Sequence, residues 1–241
     1  MKLIVTLSLL LLTTPALAGT FSAPDGCKAY LTVQSRGCMV SHFYTCEKDA
    51  KGEQWRADFD DMGPFFLSRI DSEAQWLESY ESDGSGSGLT TKETMDANPK
   101  DAASFSGLMS TGLDTFDFSL TKSSGEHTNI NGYDKLTGST AKIDGVVLQQ
   151  TEYEYTQTDD TGKVMRHAKG NEFVSPEWHT FFSGHSQYEL DDGTWAPQDG
   201  APISYANPGE PGFDTTTPIF ECNAESAALE QTLISLKDPA K

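Results

Sequence analysis

Alternation of apolar and polar residues constrains the fold of this chain more than any other feature. Trp55, Ala57 and Phe59 fall on one side of an extended segment, and polar residues take the positions between them. The same period of two recurs in two later segments, at Phe116, Phe118 and Leu120 and at Tyr153 and Tyr155. Because successive side chains of a strand point to opposite faces, this pattern is typical of half-buried antiparallel strands.

Short polar turns separate these segments, and most of them end in glycine. They are Lys51-Gly52, Ser124-Gly125, Asp144-Gly145, residues 159–162 and Asp192-Gly193. Successive strands joined by short turns form a meander, because parallel strands need long crossover connections. We therefore predict a mainly β fold, an antiparallel meander that forms a half-barrel or incomplete barrel, with a C-terminal helix and short accessory helices.

Three helices are predicted from capping residues and from Pro and Gly at their ends. The first runs from residue 98 to about residue 110 and is ended by Gly112. The second starts at Ser175 and is stopped by Gly184. The third covers residues 224–237 and is capped by Asn223. Pro and Gly are dense between residues 194 and 218. That composition predicts a long irregular segment there.

The first 18 residues have the three parts of a secretory signal peptide. Lys2 supplies the charged start, residues 3–12 are apolar, and Ala16-Leu17-Ala18 is a small-residue cleavage site. The apolar run is shorter than the ~20 residues that a spanning helix needs. We therefore expect an exported protein, periplasmic or secreted, in which residues 19–241 form a single β-rich domain.

Four cysteines in an exported chain predict two disulfides. Two predicted strands, residues 28–35 and 38–47, flank residues 36 and 37, and a two-residue turn there places Ser35 opposite Cys38. The same register places Cys27 opposite Cys46, at a separation that suits a disulfide. We therefore predict the bridges Cys27–Cys46 and Cys38–Cys222.

Both faces of this first hairpin carry apolar residues. One face holds Ala29, Leu31, Val33, Val40, His42 and Tyr44, and the other holds Tyr30, Met39 and Phe43. The hairpin is either packed between the core and the C-terminal helix, or one of its faces lines a groove that is open to a ligand. The sequence is compatible with both arrangements.

Acidic residues dominate the charge of the chain, with 36 acidic against 17 basic side chains and a formal net charge of −19. Such a surface repels phosphate backbones and anionic lipids, which disfavours nucleic-acid binding and electrostatic docking to membranes. The calcium-loop pattern D-x-[DN]-x-[DN]-G does not occur. We predict no cofactor, and we interpret the acidity as that of a solvated surface.

Common catalytic patterns do not support an enzyme. G-x-S-x-G, H-E-x-x-H and C-x-x-C do not occur, and the S-x-x-K matches at 119–122 and 139–142 lie in strand patterns rather than at a helix start. His167, His179 and His185, with a nearby carboxylate, are residue types that bind zinc or copper. We assign no catalytic residue and keep a hydrolase or metalloenzyme using these histidines as an alternative.

Two parts of the chain resemble known exported proteins. Residues 132–138, GYDKLTG, followed by residues 142–148, KIDGVVL, are similar to a strand pattern of bacterial lipoprotein carriers. Residues 170–173 and 181–184 resemble exported β-rich proteins of alphaproteobacteria. The resemblance implies a half-barrel that carries an apolar ligand, and no functional residue is carried over from it.

An aromatic-rich meander without a catalytic pattern favours a binding or carrier protein for an apolar ligand. We expect alternating aromatic residues to line its groove, and their competing role is ordinary core packing. These residues are Trp55, Phe59, Trp76, Phe116, Phe118, Tyr153 and Tyr155. A further hypothesis is an envelope interaction protein that docks through an exposed strand edge or through the C-terminal helix.

Overall fold

A computed structural model describes residues 19–82 and 88–222 of the chain. The strands are β1 (Cys27–Ser35), β2 (Met39–Cys46), β3 (Gln54–Asp60), β4 (Gly63–Ile70), β5 (Trp76–Ser82), β6 (Leu89–Met95), β7 (Leu113–Lys122), β8 (His127–Ile143), β9 (Val146–Asp159), β10 (Val164–Ser175), β11 (Thr180–Glu189), β12 (Trp195–Asp199) and β13 (Pro202–Ala206). One helix, α1 (Phe105–Thr111), lies between β6 and β7. The predicted signal peptide and the predicted helix over residues 224–237 lie outside the described residues.

All thirteen strands belong to one antiparallel sheet. From β1 to β12 each strand pairs with its neighbours in sequence, whereas β13 returns to pair with β1, placing Val33 opposite Tyr205. Strands β12 and β13 are the two edges of the sheet and are joined by residues 200 and 201, and the sheet is not closed. The predicted antiparallel meander is therefore confirmed, and its form is consistent with an open half-barrel.

An apolar cluster joins the first strands of the sheet to the last ones. Leu31 and Val33 of β1 and Phe43 of β2 pack with Phe173 of β10 and Phe182 of β11. The rings of Phe43 and Phe182 meet edge to face, with their centroids 5.7 Å apart. Because β2 and β10 are distant in the order of the sheet, the sheet must curve back on itself to make these contacts. Burial of each such side chain stabilises the fold by about 1.5–3 kcal/mol.

Both predicted disulfides are confirmed, as Cys27–Cys46 within the first hairpin and Cys38–Cys222 between the hairpin and the last described residue. Disulfides persist in oxidising compartments. The two bridges therefore indicate a non-cytoplasmic environment. Within residues 19–82 and 88–222, no helix has the length and apolar character that crossing a bilayer requires.

The register of the first hairpin differs from the predicted one at its turn. Ser35 lies opposite Met39, so the turn contains three residues instead of two. A bulge at Tyr30 then shifts the pairing back by one position, and Cys27 still lies opposite Cys46 with a Cα separation of 3.9 Å. The two register changes cancel at the disulfide.

This shift also corrects the predicted faces of the hairpin. Leu31 lies opposite Phe43 and packs in the core, whereas His42 lies opposite Thr32 on the other face. A slip of one residue moves side chains to the opposite face of a strand, which explains the error. The His42 face is covered by other parts of the chain, because Phe21 stacks on His42 with centroids 4.3 Å apart and Gln34 hydrogen-bonds to Thr217. Burial lowers the pKa of His42 to about 4, so its imidazole is neutral.

Helix α1 is shorter than predicted at its start. Ser104, not Asn98, caps it by accepting a hydrogen bond from the backbone N–H of Gly107. Asn98 has a φ of 62°, which an N-cap residue does not adopt, and Asp101 is still extended where it bridges to Asp117 of β7. The predicted end at Gly112 is confirmed, with a left-handed φ of 84°.

In the last third of the chain, one further prediction is wrong and another is correct only in part. The predicted helix after Ser175 is a tight turn between β10 and β11, in which Ser175 Oγ accepts a hydrogen bond from the backbone N–H of Trp178. Capping residues also suit turns, and here strand pairing on both sides overrides the local helical signal. The segment predicted to be irregular between residues 194 and 218 contains β12 and β13, which complete the sheet, whereas its second half, residues 207–218, is irregular as predicted.

Candidate functional site

A row of small and polar side chains crosses strands β8 to β12. Asp134 lies opposite Tyr153, Tyr153 opposite Gly170, Gly170 opposite Ser186, and Ser186 opposite Gln198. Residues that lie opposite each other in paired strands share one face of the sheet. We call this face of β8–β12, which carries Asp134, Tyr153, Gly170, Ser186 and Gln198, the polar face.

Two glycines shape the polar face. A Cβ atom at Gly170 would lie 2.5 Å from the carbonyl oxygen of His185, and one at Gly132 would lie 2.4 Å from the carbonyl oxygen of Glu154. Neither position has room for a side chain, so each glycine permits a close approach of neighbouring strands. Gly132 belongs to the stretch that resembles lipoprotein carriers, and Gly170 belongs to the stretch that resembles exported alphaproteobacterial proteins. Close packing of strands is a physical reason for both glycines.

The polar face holds a cavity of about 130 Å³. Its lining residues include Tyr153, Arg166, Ala168, Glu172, Ser183, Ser186, Tyr188 and Gln198, from strands β9 to β12. Pockets for drug-sized molecules are larger, about 300–1,000 Å³. The size therefore suits a small molecule, and the hydroxyl, amide, carboxyl and guanidinium groups around it offer both donors and acceptors of hydrogen bonds.

Glu172 is the acidic group of this cavity. Phe173, its neighbour in sequence, packs in the core, so the Glu172 side chain points to the other face of β10. Its carboxyl group has no hydrogen-bond or ion-pair partner in the described part of the chain, although Asp134 and Arg56 act on it electrostatically. Burial and the Asp134 charge raise the pKa of Glu172, and the Arg56 charge opposes them.

Asp134 shares this electrostatic environment. Burial raises the pKa of Asp134, and the nearby carboxylate of Asp114 raises it further. A carboxyl group with a raised pKa keeps its proton to a higher pH and then donates a hydrogen bond instead of repelling an anion. The Asp134 and Glu172 pair therefore holds protons at a pH where exposed acidic groups have lost theirs.

Tyr153 forms the β9 side of the cavity. Its ring stacks on Tyr155, with centroids 6.2 Å apart and an interplanar angle of 18°. Burial raises the pKa of Tyr153 to about 12, while the Ser186 hydroxyl and the Arg166 charge act in the opposite direction. The phenol therefore stays protonated and can donate a hydrogen bond into the cavity.

The seven aromatic residues predicted to line one groove do not share a surface. Trp55 stacks on Tyr44, with centroids 6.1 Å apart, and Phe59 packs edge to face on Phe21. Trp55 and Phe59 therefore lie on the same face of the sheet as His42. Arg69 of β4, opposite Trp55, and Glu78 of β5, opposite Arg69, lie on that face too.

The remaining predicted residues lie on the opposite face, where most of them pack on one another. Phe116 and Tyr155 pack against the buried residues Phe118, Leu120 and Ile130 in a second apolar cluster. Trp76 meets the ring of Phe66 at 6.2 Å. Of the seven residues, Tyr153 lines the cavity of the polar face, and Phe116 lines a separate, open pocket of about 480 Å³ formed with residues of β7 and β8 and with Lys100 and Asp101. The contacts of the other five are those of packed side chains.

The three histidines predicted as a metal site have separate partners. His167 lies between Glu154 and Glu189, His179 stacks on Phe105 at 4.8 Å, and His185 Nδ1 lies 3.0 Å from Asp199. His167 is adjacent to Arg166 in sequence and so points away from the cavity. Among residues 19–82 and 88–222, no group of three or more His, Cys, Asp or Glu side chains is arranged to hold a metal ion.

Most residues of the cavity were not found from the sequence. These are Arg166, Glu172, Ser183, Ser186, Tyr188 and Gln198. One signal was present, because Ala168, Gly170 and Glu172 alternate along β10 and place an acidic residue on a face of small residues. A charge at such a position is unusual unless it is paired or functional.

Comparison of the chain with protein-family models, with curated proteins and with solved structures gives no match.

Proposed function

We propose that this protein is a non-enzymatic binding or carrier module that holds a small polar molecule in the cavity of the polar face. The carboxyl group of Glu172 has no hydrogen-bond or ion-pair partner among the described residues and lines the cavity with the hydroxyl groups of Tyr153 and Ser186, which supports this proposal. Glu172 is half-buried, and its carboxyl group keeps its hydrogen-bonding positions open among the described residues. A ligand with hydroxyl or amide groups can fill those positions.

The lining of the cavity favours a polar ligand over the apolar ligand that the sequence predicted. Phe118 is buried against Phe116, Leu120 and Ile130, and Phe116 lines a separate, open pocket rather than this cavity. The groups that remain around the cavity are mostly polar, and an apolar ligand would leave them without hydrogen bonds. A small molecule with several oxygen or nitrogen atoms fits this lining better.

We further propose that the ligand is bound in the periplasm, after export directed by residues 1–18. The two disulfides support an oxidising compartment, and the leader sequence supports export. The intact mass of the protein recovered from a periplasmic fraction tests this. We expect the mass of a chain that begins at Gly19 and contains two disulfides. A full-length, reduced protein in the cytoplasmic fraction would contradict the proposed export.

The alternative hypotheses have less support. A metalloenzyme requires His167, His179 and His185 to converge, and each of them contacts different partners. Docking through the C-terminal helix concerns residues outside the described ranges. The binding hypothesis is therefore the one that the geometry favours.

Native mass spectrometry of the protein purified from a periplasm tests the binding function. We expect a retained small-molecule adduct, and we expect Ser186→Leu, which fills the cavity, to lose it. Ser139→Leu, at an exposed position of β8, serves as the matched control and should keep the adduct. A bare polypeptide mass, together with no thermal shift from any member of a library of small hydrophilic compounds, would contradict the proposal.

A further inference from the structure

Arg166 differs from the other arginines of this acidic chain. Arg36, Arg56 and Arg69 each form an ion pair with at least one carboxylate, and Arg69 reaches three. Arg166 is exposed and forms no ion pair with the described carboxylates. Its guanidinium group lies over the ring of Tyr188, 5.9 Å from the centroid, and lines the cavity.

A guanidinium group without a carboxylate is a binding group for an anion. Its planar fork of N–H donors matches the two oxygens of a carboxylate, and its contact with an aromatic ring fixes its orientation. The chain has 36 acidic side chains that compete for 17 basic ones. Arg166 nevertheless forms no ion pair with the carboxylates of residues 19–82 and 88–222, and it lines the cavity of the polar face.

The second charged group of the cavity is compatible with an anion only when it is protonated. The charged and titratable groups that act on Glu172 or are acted on by it come from three strands: Asp134 of β8, Arg56 of β3, and Tyr153 and Tyr155 of β9. Burial and the Asp134 charge raise the pKa of Glu172. A protonated Glu172 donates a hydrogen bond to an oxygen atom and adds no negative charge.

We infer that the ligand is a small hydroxycarboxylate, whose carboxylate binds the Arg166 guanidinium and whose hydroxyl groups bind Tyr153, Ser186 and the carboxyl group of Glu172. This inference rests on the proposed binding function and names its ligand class. The hydroxyl groups of Ser183 and Ser186 and the amide of Gln198 complete a lining that both donates and accepts. The cavity of about 130 Å³ restricts the ligand to a compact molecule.

Calorimetry of the full mature protein with three-carbon probes of matched shape tests the ligand class. The probes are glycerate, an anion; glycerol, a neutral molecule; and serinol, a cation. Glycolate and gluconate extend the anionic set in size. We expect at least one of the three anions to bind, and glycerol and serinol to bind at least about tenfold more weakly, because they lack the charge that Arg166 recognises.

Variants of Arg166 test the role of the guanidinium. Arg166→Gln should weaken binding of the anion about 10- to 100-fold, and Arg166→Lys should restore it only in part because the fork is lost. Lys163→Gln removes an exposed positive charge from the nearby β9–β10 turn and is the matched control, with little expected effect. Unchanged thermal unfolding of all three variants separates a binding defect from a folding defect.

The pH dependence separates an anionic ligand from a cationic one. Affinity for the anion should fall as the pH rises and Glu172 loses its proton, and Glu172→Gln should flatten this dependence. Affinity for a cation would rise over the same range. Binding of serinol or glycerol without the anions would overturn this inference and leave the proposed binding function standing. No binding of any probe and no copurified adduct would overturn both.

Discussion

The imidazole Nδ1 of His167 lies 2.7 Å from Oε2 of Glu189, on the face of β10 opposite the cavity. Nε2 of the same ring lies 2.8 Å from Oε1 of Glu154 on β9. Only a protonated imidazolium can donate to both carboxylates. The arrangement therefore ties three neighbouring strands together through one positive charge.

The position of His167 between Glu154 and Glu189 predicts a loss of stability as the pH rises. The hydrogen bonds and charges of Glu189 and Glu154 raise the pKa of His167. A histidine with a raised pKa contributes stability below its unfolded pKa of about 6.5 and loses that contribution as the pH rises through its folded pKa. His167→Gln should lower the free energy of unfolding by roughly 0.5–1 kcal/mol at pH 6 and by less at pH 9.

Urea denaturation at the two pH values checks this prediction. The Glu154→Gln/Glu189→Gln background is the control, because His167→Gln should have a much smaller effect when both carboxylates are gone. An effect of His167→Gln that is equal at pH 6 and pH 9 would show that the charge does not contribute.

Glu172 predicts a second loss of stability as the pH rises, with a different cause. Here an acidic group in the folded protein becomes charged, whereas His167 loses its charge. The pKa of this half-buried acid is raised by desolvation and by the Asp134 charge, so the folded protein holds a proton that the unfolded chain has lost. Stability therefore falls as the pH rises from the unfolded pKa of about 4.3 through the folded pKa. Glu172→Gln removes this penalty and should raise the free energy of unfolding at pH 9 by at least about 1 kcal/mol, with little effect at pH 4.

Glu152→Gln is the comparison for this experiment, because Glu152 lies on β9 beside the Glu172 strand and forms an exposed ion pair with Lys135. It should lower stability slightly at pH 9. If Glu172→Gln also lowers stability at pH 9, the Glu172 carboxyl group is stabilised by a partner in the folded state, and its raised pKa is refuted.

Gly170 predicts a packing defect. A Cβ atom there would lie 2.5 Å from a backbone oxygen and 2.6 Å from Ser186 Cα, so strands β10 and β11 must separate to admit it. Gly170→Ala should lower the free energy of unfolding by about 1–3 kcal/mol. Gly162→Ala meets no atom within 4 Å but has a φ of 84°, and it measures the cost of backbone strain alone, about 1 kcal/mol. Equal costs in thermal or urea unfolding would count against a close approach at Gly170.

The two disulfides should contribute unequally. They close segments separated by 19 and 184 residues in sequence. In the chain-entropy model, loss of Cys38–Cys222 costs about 5 kcal/mol and loss of Cys27–Cys46 about 3 kcal/mol. Urea unfolding of the paired Cys→Ser variants, with intact mass to verify the remaining bridge, checks the order. A larger cost for the shorter loop would contradict the entropic account.

The pairing of neighbouring strands was predictable from the sequence where the alternation of apolar and polar residues agreed with the positions of the glycine turns. The alternation around Trp55 and Phe59 and the glycine turns indicated antiparallel strands, and period two leaves few other structures. The Cys27–Cys46 bridge was predicted correctly, although the turn has three residues and Tyr30 is a bulge. The alternation of apolar and polar residues does not reveal such bulges, because a bulge adds a single unpaired residue to one strand and leaves the pattern on either side of it unchanged.

Signals confined to a few residues were less reliable. Ser175 followed by Pro176 and Glu177 has the composition of a helix start, yet it begins a turn between two paired strands. The end of α1 at Gly112 was correct because a left-handed φ requires glycine there. Strands β12 and β13 were missed because five-residue strands rich in Pro and polar residues carry little periodicity.

The sequence by itself determined most of the strands, their order in a meander, the two disulfides and the acidic character, and it predicts export. These follow from interactions between residues close in the chain, or from cysteine chemistry. Only the tertiary structure decided which face each strand presents, that Phe43 meets Phe182, and that Tyr153, Arg166 and Glu172 surround one cavity. Those relationships depend on bulges and on the curvature of the whole sheet, which accumulate over many strands and leave no local pattern.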